Sequence, residues 1–146
     1  MTDIKSFTGK FTSEIQMTFS SQDNKKQALV RVRYYDSSLT SDWDVLLYGI
    51  PQSNDQGLEV TVNFLSLDID NKDTFYTDSN ALEMQKRVLN FRPTWTFSTS
   101  EKSSGNYYPI NSAIAIVDED KKLQMTVMND RSQGGAVLQK GRVELM

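Results

Sequence analysis

The chain has 146 residues, with 16 Lys and Arg against 19 Asp and Glu, so its formal net charge is −3 and its pI is near 4.9. This length predicts a single domain over residues 1–146, and the acidic balance argues against a nucleic-acid binder, which usually carries a basic face. The chain contains no Cys and no His, which excludes disulfides, Cys- or His-ligated zinc and Ser-His-Asp or Cys-His catalysis from this chain alone. No apolar run approaches the ~20 residues that span a bilayer, so we expect no membrane segment.

A period of two dominates the first third of the chain and predicts half-buried strands. Phe11, Ile15, Met17 and Phe19 fall on one parity. After the polar stretch 20–26 the alternation restarts over 28–35, and the two segments predict an antiparallel hairpin with one wet face. A turn-rich loop over 36–42 leads to a third strand over 43–50, and PQSNDQG at 51–57 predicts a loop.

The alternation changes phase within residues 58–69. Val62 and Phe64 occupy even positions, whereas Leu65 and Leu67 occupy odd positions. One regular strand cannot bury both sets, so the phase change predicts a β-bulge near Phe64–Leu65.

Residues 74–99 predict further strands. Thr74–Thr77 is a short strand that leads to a turn at 78–80. Residues 81–89 have a helix-like composition, but Pro93 follows closely and no Gly closes the segment, so a strand is favoured. Trp95 and Phe97 alternate with threonines over 93–99, as in a strand.

The last forty or so residues complete an all-β pattern. A strand is predicted over 107–117, a charged hairpin turn over 118–122, a return strand from Leu123, and a polar glycine-rich loop over 129–135. Short strands follow around 137–138 and 142–146. About nine strands and no committed helix predict an antiparallel β-sandwich. Because the last predicted strand is still running at Met146, we expect the chain to be a fragment of a longer protein.

Three groups of side chains suggest chemistry, but each has a simpler interpretation. Asp68, Asp70 and Asp73 resemble the start of a calcium loop, yet Lys72 stands where a ligand is needed. The carboxylates at 118–120 fit an exposed hairpin turn better than a catalytic pair. The glycines at 134–135 lack the spacing of a phosphate-binding loop.

Aromatic and basic side chains leave two binding hypotheses open. Trp95, Tyr107 and Tyr108 could stack on a sugar ring, and this would make the chain a stand-alone carbohydrate-binding module. Arg31 and Arg33 could contact a polyanion. Burial of the aromatic rings in the core and simple solvation of the arginines are the favoured interpretations, because those are the usual roles of such residues in a sheet.

An ordered series of motifs fills the second half of the chain. In order, these are FYTDSN at 75–80, RPTW at 92–95, GNYYPINS at 105–112, DRSQGG at 130–135 and ELM at 144–146. The series resembles the C-terminal β-region of the class II, lysosomal-type α-mannosidases, glycoside hydrolase family 38. Each tetrapeptide is weakly specific, but five in the same order are strongly specific. Residues 1–74 join the resemblance only by their strand pattern.

The resemblance implies a specific architecture and role. It implies a galactose-mutarotase-like super-sandwich that packs against a catalytic α/β domain, which is absent from this chain. The parent would be a zinc-dependent retaining α-mannosidase that cleaves terminal α-linked mannose from mannose-containing glycans, in a lysosome, vacuole or secretory compartment. This chain would hold no zinc, would not catalyse by itself, and would buttress the catalytic domain.

The same resemblance directs attention to the loops that carry its motifs. Their residues lie outside the patterned strands, so we expect them on an inter-domain or sugar-proximal surface. The candidates are Asp78, Asn80, Tyr107, Tyr108, Arg131 and Gln133. One departure is Ala81, which stands where the family usually has Gly; a positive φ there would cost an alanine on the order of 1 kcal/mol.

Overall fold

A computed structural model describes residues 1–23, 27–50, 59–94 and 96–146. It divides the chain into two compact units, Met1–Leu58 and Glu59–Met146. The prediction of one domain over residues 1–146 stays a prediction. The predicted loop at 51–57, part of the polar stretch at 20–26, and Trp95 lie outside the described residues.

The first unit is a four-stranded antiparallel sheet with consecutive strands as neighbours. Its strands are β1 (Asp3–Thr8), β2 (Thr12–Ser20), β3 (Gln27–Tyr35) and β4 (Ser41–Tyr48), in the order β1-β2-β3-β4. The alternation predicts β2, β3 and β4 correctly. It misses β1, because Ile4 and Phe7 in that strand have opposite parity and give no period of two.

The two faces of this sheet differ in polarity. Cross-strand register places Ile15 beside Val32 and Val32 beside Trp43, and the next row of the same face is Met17, Val30 and Val45. The opposite face carries Arg33, which bridges Glu14 and Asp44 at 2.6 Å each. Arg33 is therefore neutralised by the neighbouring strands, which favours a solvated ionic face over a polyanion site.

The second unit contains two further antiparallel sheets. One has the order β10-β9-β6-β7, and the other has the order β5-β12-β11-β8. Their strands are β5 (Val62–Leu65), β6 (Thr74–Ser79), β7 (Glu83–Val88), β8 (Tyr108–Ile110), β9 (Ala113–Asp118), β10 (Leu123–Met128), β11 (Gln133–Gln139) and β12 (Arg142–Leu145). Two single-turn 3₁₀ helices at Thr99–Glu101 and Ser104–Asn106 are the only helices among the described residues, and neither approaches the length of a membrane span.

Side chains from both of these sheets share one core. Phe75, Ile114 and Ile116 project from the first sheet, and Val143 and Leu145 project from the second. The second unit is therefore a small β-sandwich, and the all-β prediction is confirmed. The segment 83–88 is a strand, as favoured over a helix.

The predicted bulge at Phe64–Leu65 is wrong. β5 pairs with β12 in unbroken register from Val62 opposite Leu145 to Leu65 opposite Arg142. The strand ends at Leu65. The Leu65 side chain is exposed, and Leu67, beyond the end of the strand, is exposed as well. The phase change marks a strand end instead of an inserted residue.

Three other predicted boundaries are also wrong. Residues 107–117 form two strands in different sheets, with a bend at 111–112 between them. The described residues of 93–99 contain no strand and lead into a 3₁₀ turn. The segment predicted as a glycine-rich loop becomes β11 at Gln133, so Gly134 and Gly135 are strand residues.

Space explains the second of these glycines. A Cβ on Gly135 would lie 3.0 Å from Ile110 and 3.2 Å from Ile114. Both isoleucines are fully buried core residues. The absence of a side chain at Gly135 therefore lets the two sheets close on each other, which is a packing role and not a turn or phosphate-binding role.

Candidate functional site

Asp78 is the penultimate residue of β6 and is almost completely buried, with 4% of its surface exposed. One carboxylate oxygen accepts the backbone N–H groups of Asn111, Ser112 and Ala113 at 2.8, 3.0 and 3.2 Å. The other accepts the N–H of Ala81 at 2.8 Å. Asp78 thus holds the bend between β8 and β9 against the turn after β6.

These bonds decide the charge state of Asp78. Burial alone would raise the pKa of its carboxyl group, but the N–H groups of Ser112, Ala81, Ala113 and Asn111 stabilise the anion and lower the pKa to about 2. The group is therefore ionised at neutral pH and has no capacity left as a proton donor. Its oxygens point into the protein backbone, which gives it a structural role in this unit.

Asn80 and Ala81 form the turn that follows β6. Their φ angles are 51° and 58°, and the N–H of Leu82 donates to the carbonyl of Ser79 at 2.9 Å. Positive φ at both central positions is the geometry of a type I′ turn, which suits Asn and Gly and strains Ala. The departure noted at Ala81 therefore falls on a position that does require positive φ.

A chain of polar side chains crosses the surface beside this turn. The amide nitrogen of Asn111 donates to the Asn80 side-chain oxygen at 2.8 Å, and the Ser132 hydroxyl donates to the Asn111 oxygen at 2.7 Å. Asn129 donates its backbone N–H to Ser112 at 3.0 Å. The loops at 78–80, 110–112 and 129–132 therefore meet at one end of the second unit. We refer to Asn80, Asn111 and Ser132 as the polar ridge.

Arg131 and Gln133 adjoin this ridge. Arg131 is highly exposed and makes an ion pair of 2.8 Å with its neighbour Asp130. The Asp130 hydrogen bond raises the pKa of Arg131, which is charged in any case. Gln133 is half-buried as the first residue of β11.

Tyr108 does not lie on the surface. Its ring is 6% exposed and meets the Phe75 ring edge-on, with 5.7 Å between centres. The guanidinium carbons of Arg87 and Arg92 lie 4.2 and 4.0 Å from the ring centre. With its ring in the core and contacted by two cations, Tyr108 cannot provide a stacking platform for a sugar.

Tyr107 immediately precedes β8 and is half-buried. Its ring would be 3.2 Å from a Cβ on Gly134, and its hydroxyl donates a short hydrogen bond to the Glu144 carboxylate. Partial burial, the bond to Glu144 and the nearby charge of Glu59 all raise the pKa of Tyr107 above its usual value. The phenol therefore stays protonated and acts as a donor to Glu144.

Several structural residues were missed by sequence reasoning. Asn106 is 1% exposed and exchanges hydrogen bonds of 2.8 and 2.9 Å with Asn90. Arg92 donates to the Gly105 carbonyl at 2.7 Å. The only available signal was the place of Arg92 in the RPTW motif and of Asn106 in the GNYYPINS motif, since Asn90 lies in neither. Much of what makes those motifs specific is therefore internal packing.

The acidic segment 118–120 is also more structural than expected. Asp118 is 1% exposed, and its carboxylate accepts the N–H groups of Asp70, Lys121 and Asp120 at 2.9, 3.0 and 3.1 Å. These backbone bonds hold the pKa of Asp118 below its ordinary value. The turn is charged as predicted, but its first carboxylate is buried and closes the turn against residue 70.

No group of three His, Cys, Asp or Glu side chains within the described ranges could hold a metal ion. Asp70 instead pairs with Lys140 at 2.7 Å, and Asp120 pairs with Lys72 at 2.6 Å. Lysine partners at these distances favour surface ion pairs over a calcium loop.

Comparison with known proteins agrees with the motif series. Residues 2–146 match the family described as "Glycosyl hydrolases family 38 C-terminal domain". The lysosomal alpha-mannosidases of Mus musculus and Homo sapiens are 40% and 38% identical to the chain over 133 residues, which is 91% of this chain and 12% of each relative. An alpha-mannosidase of Canavalia ensiformis is 32% identical over 138 residues, 94% of this chain and 13% of that protein. The chain thus spans about an eighth of the length of these relatives, and it belongs to glycosyl hydrolase family 38, in the C-terminal domain of that family.

Proposed function

We propose that this chain is the non-catalytic β-domain of a zinc-dependent, retaining α-mannosidase, and that it buttresses the catalytic domain of the parent enzyme. The parent would hydrolyse terminal α-linked mannose of glycans. The observation that carries the proposal is the family match over residues 2–146, combined with coverage of only 12% of the lysosomal relatives.

The metal-ligating side chains available in the chain support a non-catalytic role for it within the parent enzyme. Zinc sites in proteins are built from His, Cys and carboxylate ligands. The chain has no His or Cys, and the described carboxylates form no cluster that fits a metal ion. The residues present do not fit the zinc that the parent would need, so its ligands would lie in the catalytic part of the parent.

The surface that meets the catalytic domain would be the end of the sandwich that carries the polar ridge. Asn80 and Arg131 have exposed side chains there, and Gln133 and Tyr107 are half-buried nearby. Asp78 and Tyr108 would act indirectly, since their side chains are used inside the unit. Interfaces between domains of one chain are typically more polar than obligate subunit interfaces, and the polar side chains at this end fit such an interface.

Assay of the purified 146-residue chain tests the non-catalytic part of the proposal. We expect no hydrolysis of a chromogenic α-mannoside with or without added zinc, because the chain lacks a built catalytic site. Turnover that is proportional to protein and survives repurification would contradict the proposal.

Substitution in the full-length parent tests the buttressing part. Asn80→Asp, which tolerates the positive φ and keeps an acceptor for Asn111, and Arg131→Ala should lower the thermal stability or the activity of the parent, while the isolated chain keeps its own unfolding midpoint. Lys86→Ala is the matched control, because Lys86 is an exposed charge on β7 that makes none of the ridge contacts. If the substitutions at Asn80 and Arg131 leave the parent unchanged, or affect it no more than Lys86→Ala does, the ridge does not contact the catalytic domain.

The carbohydrate-binding alternative has less support. It requires exposed, neighbouring aromatic faces, and of its three aromatic residues Tyr108 is buried between two arginines while Tyr107 packs on Gly134. Titration of the isolated chain with mannose oligosaccharides tests this alternative, and saturable binding that is lost in Tyr107→Ala would support it.

A further inference from the structure

One edge strand of the sandwich lacks the features that usually block strand addition. Edge strands are commonly protected by charges, proline or short length. Among the six edge strands of the described sheets, β1, β4 and β7 contain charged residues, β8 has three residues including Pro109, and β5 has only four residues. β10 has six residues, LQMTVM, with neither charge nor proline.

The hydrogen-bonding direction of β10 follows from its pairing with β9. Asn129, one residue beyond β10, donates its N–H to Ser112 at 3.0 Å, on the β9 side. In an antiparallel pair the N–H groups alternate between the two sides of the strand. The N–H groups of Gln124, Thr126 and Met128 therefore point away from β9, towards an edge without a strand partner among the described residues.

We propose that two copies of this chain associate by pairing their β10 strands in antiparallel orientation, so that the β10-β9-β6-β7 sheet continues across a two-fold axis. The two-fold axis passes beside Thr126, which faces Thr126 of the second copy. Gln124 then faces Met128, and Met125 faces Val127.

The pattern of β10 is self-complementary in this register. Met125 and Val127 are half-buried and pack on the core side, so the pairing places apolar beside apolar residues. The exposed face pairs Thr126 with Thr126. No charged residue of one strand lies opposite a charge of the other.

Counting hydrogen bonds favours this register over the next one. With Thr126 at the centre, the three outward-facing positions of both copies pair, for about six N–H···O=C bonds. With Met125 at the centre, the third pair would need Lys122, whose φ of 55° takes it out of the extended conformation, and about four bonds remain. A pair of β7 strands centred on Lys86 would instead bring two lysine side chains opposite each other.

Sedimentation of the full 146-residue chain over about 5 to 500 µM tests the proposal, because an interface of one strand pair is expected to be weak. The mass should rise with concentration from that of one chain, 16.7 kDa, towards twice that value. Thr126→Lys opposes two charges at the two-fold axis and should weaken association at least about tenfold. Thr126→Pro removes an outward N–H without removing a bond to β9, and should do the same.

Thr94→Lys is the matched control, since it makes the same charge change at an exposed threonine outside any strand. It should associate as the unmodified chain does. A constant one-chain mass over the whole range would overturn the proposal. Association that Thr126→Lys leaves intact, or that Thr94→Lys weakens equally, would also overturn it, because either result would place the contact elsewhere or reduce it to net charge.

Hydrogen exchange gives a second readout that does not depend on variants. The amides of Gln124, Thr126 and Met128 should exchange more slowly at high than at low protein concentration. Those of Met125 and Val127 face β9 and should be unaffected. Equal protection of both sets, or of neither, would contradict pairing at this edge.

Discussion

The two units of the chain obtain their stability in different ways. Val32 is the one buried apolar residue in the described part of the first unit, whereas the described part of the second unit holds the other eleven, including Phe75 and four isoleucines. The first unit is a single sheet, and Trp43 on its apolar face is 46% exposed. The second unit is two sheets closed over a shared core.

This difference teaches which parts of the chain are self-sufficient. A sheet is stable when its apolar face packs against another layer. The second unit contains both of its layers, and buried Asp78 and Asp118 tie the strand ends together by backbone bonds. The first unit relies on one layer and on ionic pairs such as Arg33 with Glu14.

The largest expected effect contrasts two aromatic residues, one from each unit. Phe75→Ala should lower the free energy of unfolding by about 3–5 kcal/mol, because the ring is fully buried and its removal leaves a cavity. Trp43→Ala should cost less than about 1.5 kcal/mol, since nearly half of its surface is already in water. Urea unfolding of both variants measures the difference, and equal losses would remove the contrast between the units.

Gly141 gives the next largest effect. Its φ is +68°, and a Cβ there would lie 2.2 Å from the Ser66 carbonyl oxygen. Gly141→Ala should cost about 2–4 kcal/mol from left-handed strain and backbone displacement. Lys140→Ala, which removes only an exposed ion pair with Asp70, is the control and should change the unfolding midpoint little. If the two variants unfold alike, the close approach at Gly141 does not constrain the fold.

Asp78 predicts an acid-sensitive component of stability. Its pKa is about 2 in the folded chain and about 3.9 when unfolded, so the ionised carboxylate contributes about 2 kcal/mol above pH 4. This contribution should disappear as the pH falls from about 4 to 2. Asp78→Asn should lack it, whereas Asp130→Asn, at an exposed pair, should keep it. Unfolding measured at several pH values checks this, and parallel profiles for Asp78→Asn and the unmodified chain would contradict the capping role.

The smallest expected effect is a gain in stability at the turn after β6. Ala81→Gly relieves the strain of an alanine at φ 58° and should raise the free energy of unfolding by about 0.5–1 kcal/mol, after the entropy that Gly adds to the unfolded chain. Leu82→Gly, at the neighbouring exposed position, should give no such gain. A loss of stability in Ala81→Gly would mean that the turn does not hold its positive φ in solution.

Local pattern was enough to predict most of the strands but not the way in which they are joined. The alternation in 12–20, 27–35 and 123–128 follows from one polar and one apolar face of each strand, which neighbouring residues record directly. The bend at 111–112 and the early end of β5 depend on Asp78 and on Gly141, which are distant in sequence. No local period records such contacts.

The candidate site divides along the same line. The positive φ at Ala81 could be predicted, because the backbone conformation of a tight turn is set by local sequence. The burial of Tyr108 could not, because it depends on Phe75, Arg87 and Arg92 meeting from other segments of the chain. The motifs identified the correct family. They did not indicate that many of their residues are buried and serve internal packing.

Separate expression of residues 59–146 and 1–58 tests the central claim most directly. Amide NMR spectra and urea unfolding should show that 59–146 is folded and unfolds cooperatively, because it contains both layers of its core. Residues 1–58 alone should give the narrow amide dispersion of an unfolded or loosely packed chain. If 59–146 is unfolded by itself while the whole chain is folded, the two units share one core, and the contrast drawn between them is wrong.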